Sequence, residues 1–501
     1  MNSGKRISPI VFLAAIVYVV ALICLAPIRT GFQFGGDEGH ELMKALLVSR
    51  GHPLYKEVWN DQPPLYTLIV GAFFWLIGPS AFAARIITVG FSALLLLALY
   101  GLVAQAVGYV AALIAVLLLF ASAHFMELSV SAMLEVPALA VGLCALWAAT
   151  QYSRQSRLRL LVTSGALFAC ALQVKLSAAL FLPAILMELF ERKSVECTNA
   201  TVTKLRSPGF WGSGIIFVAS AGTVFSIIAF LFYDSGTISM FFKSHFSKNT
   251  KEAAELIMSR WNPYSILSDL GPALSCIGLF VFLPWTKERT YRPPIVLLIT
   301  VICFHCFHQP YWYYYSLHFA IPVSWLTPVG LADWGRLLRT QKIGITPLAK
   351  FNFAVSALCW CICFSIIFIK LPDKITSEAN RVLSVQPASQ NRYVKSLTAN
   401  EMPYKWVFTD RSLAAFWANS PIPPELSVIP LKRIWSQSIS KDEVLRCLTA
   451  YCPEIVMIPG EWENRFGIAE YLRSNYKSKV DSMTGDSIYL RFNSDLGGGH
   501  Q

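Results

Sequence analysis

Asp37 and Glu38 form a carboxylate pair at the start of a predicted helix. They follow Gly35 and Gly36, and the residues from Glu38 to Ser49 have apolar side chains at helical spacing. An aspartate at such a position caps a helix by accepting hydrogen bonds from free backbone N–H groups. A carboxylate can also take a proton from a hydroxyl group as a general base. The two interpretations are compatible, and we predict Asp37 to be the base.

Three further charged residues stand at the ends of apolar runs. Glu135 lies in Met133-Leu-Glu-Val-Pro137, Lys175 lies in Gln173-Val-Lys-Leu-Ser177, and Arg85 begins a long run. The two basic residues are suited to holding a phosphate. Simpler interpretations also stay open: Glu135 as an interfacial residue, Lys175 as the anchor of a helix end, and Arg85 as a contact for lipid headgroups.

An aromatic run follows His308 near the C-terminal end of the apolar part of the chain. It reads Tyr311-Trp312-Tyr313-Tyr314-Tyr315. Tyrosine and tryptophan are enriched where a protein meets the membrane surface, but the same rings also stack on sugars. His308 and His318 are more simply structural residues than ligands. The aromatic run therefore predicts either an interfacial belt or a surface for a sugar.

The composition excludes an ordinary soluble protein. Of the 501 residues, 55% are hydrophobic and only 14% are charged, whereas a soluble domain has about 25% charged residues. The apolar runs have the length needed to cross a hydrocarbon core of about 30 Å. Much of the net charge of +12 lies in short loops between these runs. This distribution indicates orientation in a membrane rather than binding to nucleic acid.

The distribution of Lys and Arg predicts the orientation. The loops 151–159, 191–210, 286–293 and 332–350 are richer in these residues than the segments opposite them. They are cytoplasmic, as the positive-inside rule requires, only if the short run 64–77 lies at the outer surface instead of crossing. We therefore predict eleven spans, at 9–27, 82–104, 109–123, 133–150, 159–174, 177–190, 211–232, 264–285, 294–307, 315–331 and 351–370.

This orientation collects the unusual polar residues on the outer side of the membrane. Ionisable residues at membrane depth are costly and point to function. The carboxylates of Asp37, Glu127 and Glu135 share that side with Lys175 and His308. Such a group of residues predicts chemistry on an anionic lipid headgroup.

The segment after residue 370 is different in kind. Residues 371–400 are predicted to be a linker, and 401–501 a small α/β domain outside the cytoplasm. In that domain, predicted strands alternate with predicted helices. The strands are 405–410, 427–430, 454–459 and 487–492, and the helices are 411–419, 440–450 and 461–475. Of the twelve cysteines, Cys447 and Cys452 can form a disulfide if this region faces an oxidising compartment.

Three motifs resemble the first outer loop of GT-C glycosyltransferases. They are Gly36-Asp-Glu-Gly-His-Glu41, Gly51-His-Pro-Leu-Tyr55 and Trp59-Asn-Asp-Gln-Pro-Pro-Leu-Tyr66. The chain is similar to the protein O-mannosyltransferase and aminoarabinose-transferase group, which is the PMT-like group of glycosyltransferase family 39. In that group an Asp-Glu pair opens one juxtamembrane helix and a Pro-Pro motif opens a second, as 65–78 would be. Later segments that are similar include 78–85, 133–137, 174–177, 308–315 and 410–424.

The resemblance implies a fold class and a domain division. The fold is a polytopic α-helical membrane protein of the GT-C type, with about eleven transmembrane helices and two juxtamembrane helices. The transferase domain is expected at 1–370, with its first outer loop at 28–81, and the C-terminal α/β soluble domain at 401–501.

The resemblance also implies an activity in glycosylation of the cell envelope. A hexose or pentose would move with inversion from a polyprenyl-phosphate-linked donor to a hydroxyl of a lipid, glycan or protein acceptor. Asp37 would be the general base and Glu38 its catalytic partner. The donor phosphate would be held by Lys175, Arg85 and His40. The expected substrate-binding residues are Asp61, Gln62, Glu135, His308, Tyr311 and Tyr313.

The chain departs from the group's pattern in two places, and both lower the positive charge. Gln62 stands where the group often has Lys, and His40 where it often has Arg. Donor binding is then expected to depend on Lys175, with Arg85 or Lys56. No cofactor is expected to be required, and a divalent metal at Asp61 and His245 is a less favoured alternative.

Other classes of function remain as alternatives. An oligosaccharide ligase or lipid-headgroup transferase would need the same carboxylate and phosphate site. A transporter would typically have internal repeats, and the sequence has none that we detect. A membrane-anchored binding protein would do its work in the C-terminal domain. The expected location is a bacterial inner membrane, with the active site and the C-terminal domain facing the periplasm, the bilayer as a partner and no nucleic acid.

Overall fold

The computed structural model describes residues 9–190, 210–247, 249, 252, 291–308, 310–340, 347–399, 402–480 and 487–492. Three features discussed above lie outside these residues. They are the predicted span 264–285, most of the loop 191–210 and much of the loop 286–293.

Helices dominate the described part of the chain as far as residue 383, although non-helical segments of the first outer loop lie before Glu38 and between Ser49 and Leu65. Their order follows the apolar runs, with a 3₁₀ turn, Leu176–Phe181, between α8 and α9. The helices are α1 (Pro9–Leu25), α2 (Glu38–Ser49), α3 (Leu65–Ile77), α4 (Ala81–Val107), α5 (Tyr109–Phe120), α6 (Phe125–Val130), α7 (Glu135–Gln155), α8 (Leu158–Val174), α9 (Leu182–Phe190), α10 (Phe210–Phe232), α11 (Thr237–Phe246), α12 (Arg292–Phe307), α13 (Ser316–Thr340) and α14 (Pro347–Leu383).

Three described helices are long and apolar enough to cross a membrane, judged by length and composition. They are Ala81–Val107, Glu135–Gln155 and Trp211–Phe232. Other apolar helices are shorter, such as Tyr109–Phe120 and Leu158–Val174. The predicted number of eleven spans therefore stays a prediction.

Glycine and serine define where the helices around α4 begin and end. Gly78, at φ +87°, ends α3, and Gly108, at φ +108°, separates α4 from α5. Both are backbone conformations that L side chains rarely adopt. The Ser80 hydroxyl caps α4 by accepting a hydrogen bond from the Ala83 backbone N–H at 3.4 Å. These breaks set α3 apart from α4 as a separate short helix.

Small residues allow the helices of the membrane part to pack closely. A Cβ atom at Gly165 of α8 would lie 2.6 Å from the carbonyl oxygen of Phe217 in α10. In the absence of that Cβ, the two backbones can approach each other, as is common in membrane helix pairs. α7 packs between α4 and α8, and this arrangement brings Glu135 and Lys175 together.

The short helices α2 and α3 pack against one another and against the C-terminal region. Leu42 and Leu46 of α2 and Phe74 of α3 belong to the same buried cluster as Leu413 and Phe416. At 13 residues, α3 is about 20 Å long. The second juxtamembrane helix predicted from the sequence is thus a real helix.

A four-stranded mixed sheet forms the centre of the C-terminal region. Its order is β1-β2-β4-β3, with β1 and β2 parallel and the other two pairs antiparallel. The register pairs Val407 with Ile455, and Val456 with Tyr489. The elements after residue 390 are α15 (Arg392–Leu397), β1 (Val407–Thr409), α16 (Ser412–Trp417), α17 (Leu431–Trp435), α18 (Lys441–Tyr451), β2 (Ile455–Met457), α19 (Gly460–Phe466), α20 (Ala469–Asn475), β3 (Tyr476–Val480) and β4 (Ser487–Arg491).

Three of the four predicted β segments contain strands, but the second does not. Residues 427–430 are mainly buried and have no strand, whereas β3 forms where none was predicted. The predicted linker is largely helical, because α14 continues to Leu383. Cys447 and Cys452 are both free cysteines. The division into separate domains stays a prediction.

Candidate active site

A cavity of about 380 Å³ lies where the first outer loop, the ends of α7 and α8 and the C-terminal region meet. Its polar lining contains more than half of the residues predicted from the sequence. These residues are Asp37, His40, Asp61, Gln62, Glu135 and Lys175. The other five predicted residues, Glu38, Arg85, His308, Tyr311 and Tyr313, do not line it.

Asp37 presents a free carboxylate to this cavity. It is the residue before α2, yet its side chain makes no capping hydrogen bond. Its backbone carbonyl oxygen accepts from the N–H groups of His40 and Glu41, at 3.0 and 3.3 Å. Within the described parts of the chain, its carboxylate has no hydrogen-bond or ion-pair partner. The capping interpretation therefore does not account for this side chain, which remains available to a bound hydroxyl.

Lys175 reaches the same cavity from the end of α8. Its ammonium forms an ion pair with the Glu135 carboxylate and lies 4.5 Å from the centre of the Tyr314 ring. Burial lowers the pKa of Lys175 to about 7, and the positive charge of Lys432 adds to this effect. The carboxylate of Asp37 acts in the opposite direction. A bound phosphate would also favour the ammonium form, because opposite charges at close range stabilise one another.

The first turn of α2 places His40 and Glu41 beside Asp37, since residues three and four apart share a helix face. His40 Nδ1 lies 3.3 Å from the Ser412 hydroxyl oxygen of α16. Burial lowers the pKa of His40, which favours the neutral imidazole. Glu41 is occupied by an ion pair with Lys44, at 2.7 Å between Oε1 and Nζ. Neither residue brings an unpaired charge to the cavity at neutral pH.

Asp61 and Gln62 precede α3 and face α11. Asp61 Oδ2 lies 3.8 Å from His245 Nε2, and Gln62 Nε2 lies 3.4 Å from the same nitrogen. Burial and, next to it, the charge of Lys432 lower the pKa of His245 to about 4. His245 is therefore neutral at pH 7. Within the described ranges, no group of three or more His, Cys, Asp or Glu side chains could hold a metal ion.

Glu38 and Arg85 form a closed, fully buried ion pair away from the cavity. Nε and Nη2 of Arg85 donate to the two carboxylate oxygens of Glu38, at 2.7 and 2.9 Å. The remaining guanidinium N–H groups donate to backbone carbonyl oxygens of the first loop, those of Ile28, Gly31 and Phe32. A guanidinium has five N–H donors, and all five are used. Arg85 thus has no donor left for a phosphate in this arrangement.

The Glu38 carboxylate also accepts from two backbone N–H groups. These belong to Phe34, at 3.1 Å, and to Ala132, at 3.0 Å. The pair therefore connects the first loop, α2, α4 and the turn before α7. This geometry favours a positioning role for Glu38 and Arg85, instead of the direct catalytic and phosphate-binding roles predicted from the sequence.

The aromatic run divides between the cavity and the protein interior. Trp312 and Tyr314 line the cavity, whereas Tyr311 packs with its ring centre 5.9 Å from that of Tyr315. His308 stacks on the ring of Phe304, with ring centres 4.7 Å apart. The Tyr313 hydroxyl accepts from the backbone N–H of Gly36 at 3.0 Å, so it contacts the residue before Asp37.

Comparison with known proteins places this geometry in a family context. Residues 61–236 match the pattern of the family described as dolichyl-phosphate-mannose-protein mannosyltransferase. No curated protein matches the chain. The fold is similar to that of ArnT from Cupriavidus metallidurans bound to undecaprenyl phosphate, with a TM-score of 0.61 and 13% identity over 98% of this chain and 99% of that one. This likeness shows that the chain has a GT-C-like fold.

A second solved structure has a similar fold at lower identity. It is the oligosaccharyltransferase AglB from Archaeoglobus fulgidus in complex with an inhibitory peptide and a dolichol-phosphate. Its TM-score is 0.52 and its identity is 10%, over 97% of this chain and 75% of that one. The family match spans residues 61–236 of the 501, and the two solved structures share a GT-C-like fold with the chain. The membrane location predicted from composition is also supported.

The family match covers only part of the cavity. Asp61, Glu135 and Lys175 lie within the matched residues, but Asp37 precedes them. Lys432 follows them by almost two hundred positions. The cavity of this GT-C-type chain is therefore assembled from segments far apart in sequence.

Sequence reasoning missed several residues of the cavity lining. Glu41 was the easiest of these to predict, because its spacing from Asp37 places both residues on one helix face. Trp312 and Tyr314 lay in the aromatic run, but nothing in the sequence separated them from their neighbours. Lys432 had no local signal, since it belongs to a short helix in a region predicted to be a separate domain.

Proposed function

We propose that this GT-C-type protein transfers a sugar from a polyprenyl-phosphate-linked donor to an acceptor hydroxyl. The observation that carries the proposal is the unpaired Asp37 carboxylate, which shares one cavity with the Lys175 ammonium. A base and a cation are the two groups that this transfer needs. The similar structures of ArnT and AglB were determined with undecaprenyl phosphate and dolichol-phosphate respectively, which supports a donor of this class.

In the proposed reaction, the Asp37 carboxylate takes the proton of the acceptor hydroxyl. The hydroxyl oxygen attacks the anomeric carbon, and the bond from that carbon to the phosphate oxygen breaks. The electron pair of the broken bond leaves with the polyprenyl phosphate. Base and leaving group lie on opposite faces of the sugar, so the configuration at the anomeric carbon inverts.

Lys175 is proposed to stabilise the phosphate as the bond breaks. Negative charge accumulates on the leaving phosphate oxygen, and a preorganised ammonium in a water-poor site stabilises it strongly. The ion pair with Glu135 and the nearby Tyr314 ring hold the ammonium in place. Because the free lysine has a pKa near 7, donor binding draws a proton to this site.

The remaining lining residues are proposed to orient the sugar. Asp61 and Gln62 offer hydrogen-bond acceptors and donors to sugar hydroxyls, and Trp312 offers a ring face. Glu38 is proposed to act through the position of α2, since its own carboxylate is occupied. No metal is used in any of these steps.

The proposed sidedness rests on the predicted topology, and the proposed acceptor class rests on the family resemblance. We propose that the cavity faces the periplasm of a bacterial inner membrane, where a flipped polyprenyl-phosphate sugar and a lipid, glycan or protein hydroxyl meet. The basic loops predicted to be cytoplasmic support this orientation.

The proposal is tested by comparing the wild type with Asp37→Asn, both purified. Each protein is incubated with a panel of polyprenyl-phosphate sugars and with glycolipid and peptide acceptors, and released polyprenyl phosphate is measured by mass spectrometry. We expect release by the wild type and a loss of about 10²–10⁴-fold in the variant, with donor binding retained. Equal activity of the two proteins would remove Asp37 as the base.

A further inference from the structure

The C-terminal region places a second lysine in the cavity. Lys432 lies in α17 and lines the cavity together with Lys175. Its side chain is half-buried, and no ion pair or hydrogen bond engages its ammonium within the described residues. An ammonium has three N–H donors, and those of Lys432 are therefore open to a ligand in the cavity. We infer that Lys432 is a second ligand for the donor phosphate, contributed by the C-terminal region; this rests on the proposed function.

The neighbouring residue Arg433 fixes the position of Lys432. Arg433 is buried, and its Nη1 donates to the carbonyl oxygens of Glu425 and Val428 at 2.6 and 2.8 Å. Its Nη2 donates to Glu443 Oε1 at 3.0 Å, and its guanidinium carbon lies 5.2 Å from the centre of the Trp59 ring. These contacts hold the five-residue helix α17 against both the C-terminal region and the first outer loop.

The charge of Lys432 is felt throughout the cavity. It lowers the pKa values of Lys175, His245 and His308, in each case as the second cause after burial. Two lysines that line one cavity form a site that an anion would stabilise. Glu135 is ion-paired with Lys175, and the charge of Lys432 acts on Asp61 only beyond ion-pair distance. A phosphate bound in the cavity can therefore make the direct contact with the Lys432 ammonium that no described carboxylate makes.

Close packing contacts hold the C-terminal region, and with it Lys432, at the cavity. α16 packs so closely on α2 that a Cβ atom at Gly39 would lie 2.7 Å from the backbone nitrogen of Leu413. α17 in turn packs against α11, the helix that carries His245. The region is therefore held on both sides of the cavity. Without the docked C-terminal region, the cavity would lack Lys432.

Binding of undecaprenyl phosphate to the full-length protein tests the inference, without acceptor present. The variants are Lys432→Gln, Lys432→Arg and, as a matched control for the loss of one charge, Lys479→Gln on the exposed face of β3. We expect Lys432→Gln to weaken binding about tenfold or more, because a hydrogen bond to a charged group is lost. Lys432→Arg is expected to stay within about twofold of the wild type, and Lys479→Gln to be unchanged.

Each other outcome has a distinct meaning. Unchanged binding by Lys432→Gln overturns the inference and leaves the proposed function intact. If Lys432→Gln binds the lipid normally but, in a separate transfer assay, selectively loses transfer to a phosphorylated acceptor, the lysine belongs to the acceptor site, which also overturns the inference. A wild type that binds no polyprenyl phosphate removes the proposed donor, and the inference falls with it. Unfolding of Lys432→Gln is detected by its thermal midpoint, and Lys432→Arg then decides: weakened binding by this folded variant overturns the inference.

Discussion

Asp37 and Glu38 are neighbours with the same functional group, and the structure places them in opposite environments. Asp37 faces a cavity, and its carboxylate has no partner among the described residues. Glu38 is fully buried, and its carboxylate accepts from Arg85 and from two backbone N–H groups. A carboxylate has about four lone-pair sites. Those of Glu38 are filled by the protein, and those of Asp37 are left for a substrate.

The two nearby cations differ in the same way. Arg85 has all five donors committed to Glu38 and to backbone carbonyl oxygens. Lys175 is ion-paired with Glu135, but it also lines the cavity together with Lys432, so its ammonium can contact a ligand bound there. The pair that holds the loops together is thus separate from the pair proposed to do chemistry, although residues 37 and 38 are covalent neighbours. A buried ion pair directly beside Asp37 restricts the position of this proposed base.

The largest expected effect comes from breaking the closed pair. Glu38→Gln removes the partner of a buried guanidinium, and we expect a loss of about 3–5 kcal/mol in the free energy of unfolding. Asp37→Asn is the matched control at the next residue, and we expect a change within about 0.5 kcal/mol because no contact is lost. Denaturant or thermal unfolding of the purified proteins in the same detergent measures both.

Replacing both Glu38 and Arg85 with apolar residues distinguishes the effect of an unpaired buried charge from the effect of lost packing. The double variant Glu38→Leu with Arg85→Met leaves no buried charge, so it is expected to recover much of the lost stability. Equal stability of Glu38→Gln and Asp37→Asn would contradict the comparison, because it would mean that the Glu38 contacts contribute no more than the open Asp37 side chain.

Much of the helical architecture was predictable from local pattern. Apolar runs, Gly78 and Gly108 define α3, α4 and α5 within a few residues, because helix length and glycine breaks are local properties. The C-terminal sheet was only partly predictable. Residues 427–430 have the composition of a strand but pair with none, and β3 is a polar strand whose pairing with β4 is set by tertiary contact.

Part of the lining of the candidate cavity was predictable from the sequence, but its geometry was not. Sequence and resemblance identified Asp37, Lys175 and Glu135, and the structure brings them to one cavity. The closed state of Arg85 depends on backbone carbonyl oxygens, which no side-chain pattern records. Lys432 enters through the packing of a distant region. In both cases the deciding contacts join segments that are far apart in sequence.

A smaller effect on donor affinity is expected from the titration of Lys175. Lys175 must carry its proton to hold a phosphate, and burial, with Lys432 next, lowers its pKa to about 7. Donor affinity should therefore be full below pH 7 and should fall as the pH rises above it, by up to about tenfold per pH unit. The donor is a phosphodiester and does not itself titrate in this range. Equilibrium binding of the donor between pH 6 and 9 measures the change.

The matched variant for this profile is Lys175→Arg. A guanidinium stays protonated across the range, so its donor affinity should be flat with pH even if its absolute value is lower. If the donor affinity of the wild type is also independent of pH, Glu135 keeps Lys175 charged. The Lys175–Glu135 pair would then resemble the closed Arg85–Glu38 pair, which contradicts the contrast drawn above.

The smallest effect is expected from the hydrogen bond between Tyr313 and Gly36, the residue before Asp37. Tyr313→Phe removes the hydroxyl that accepts from the Gly36 N–H, so the residue before Asp37 loses one of its fixed contacts. We expect a stability change below about 1 kcal/mol. Turnover should fall about two- to tenfold with little change in KM, because a displaced base lowers the rate of proton transfer rather than substrate binding.

Tyr471→Phe is the matched control, since it loses one hydrogen bond to the Leu448 carbonyl oxygen outside the cavity. A fall in turnover for Tyr471→Phe equal to that for Tyr313→Phe would assign the effect to general loosening, and the position of Asp37 would then not depend on Tyr313.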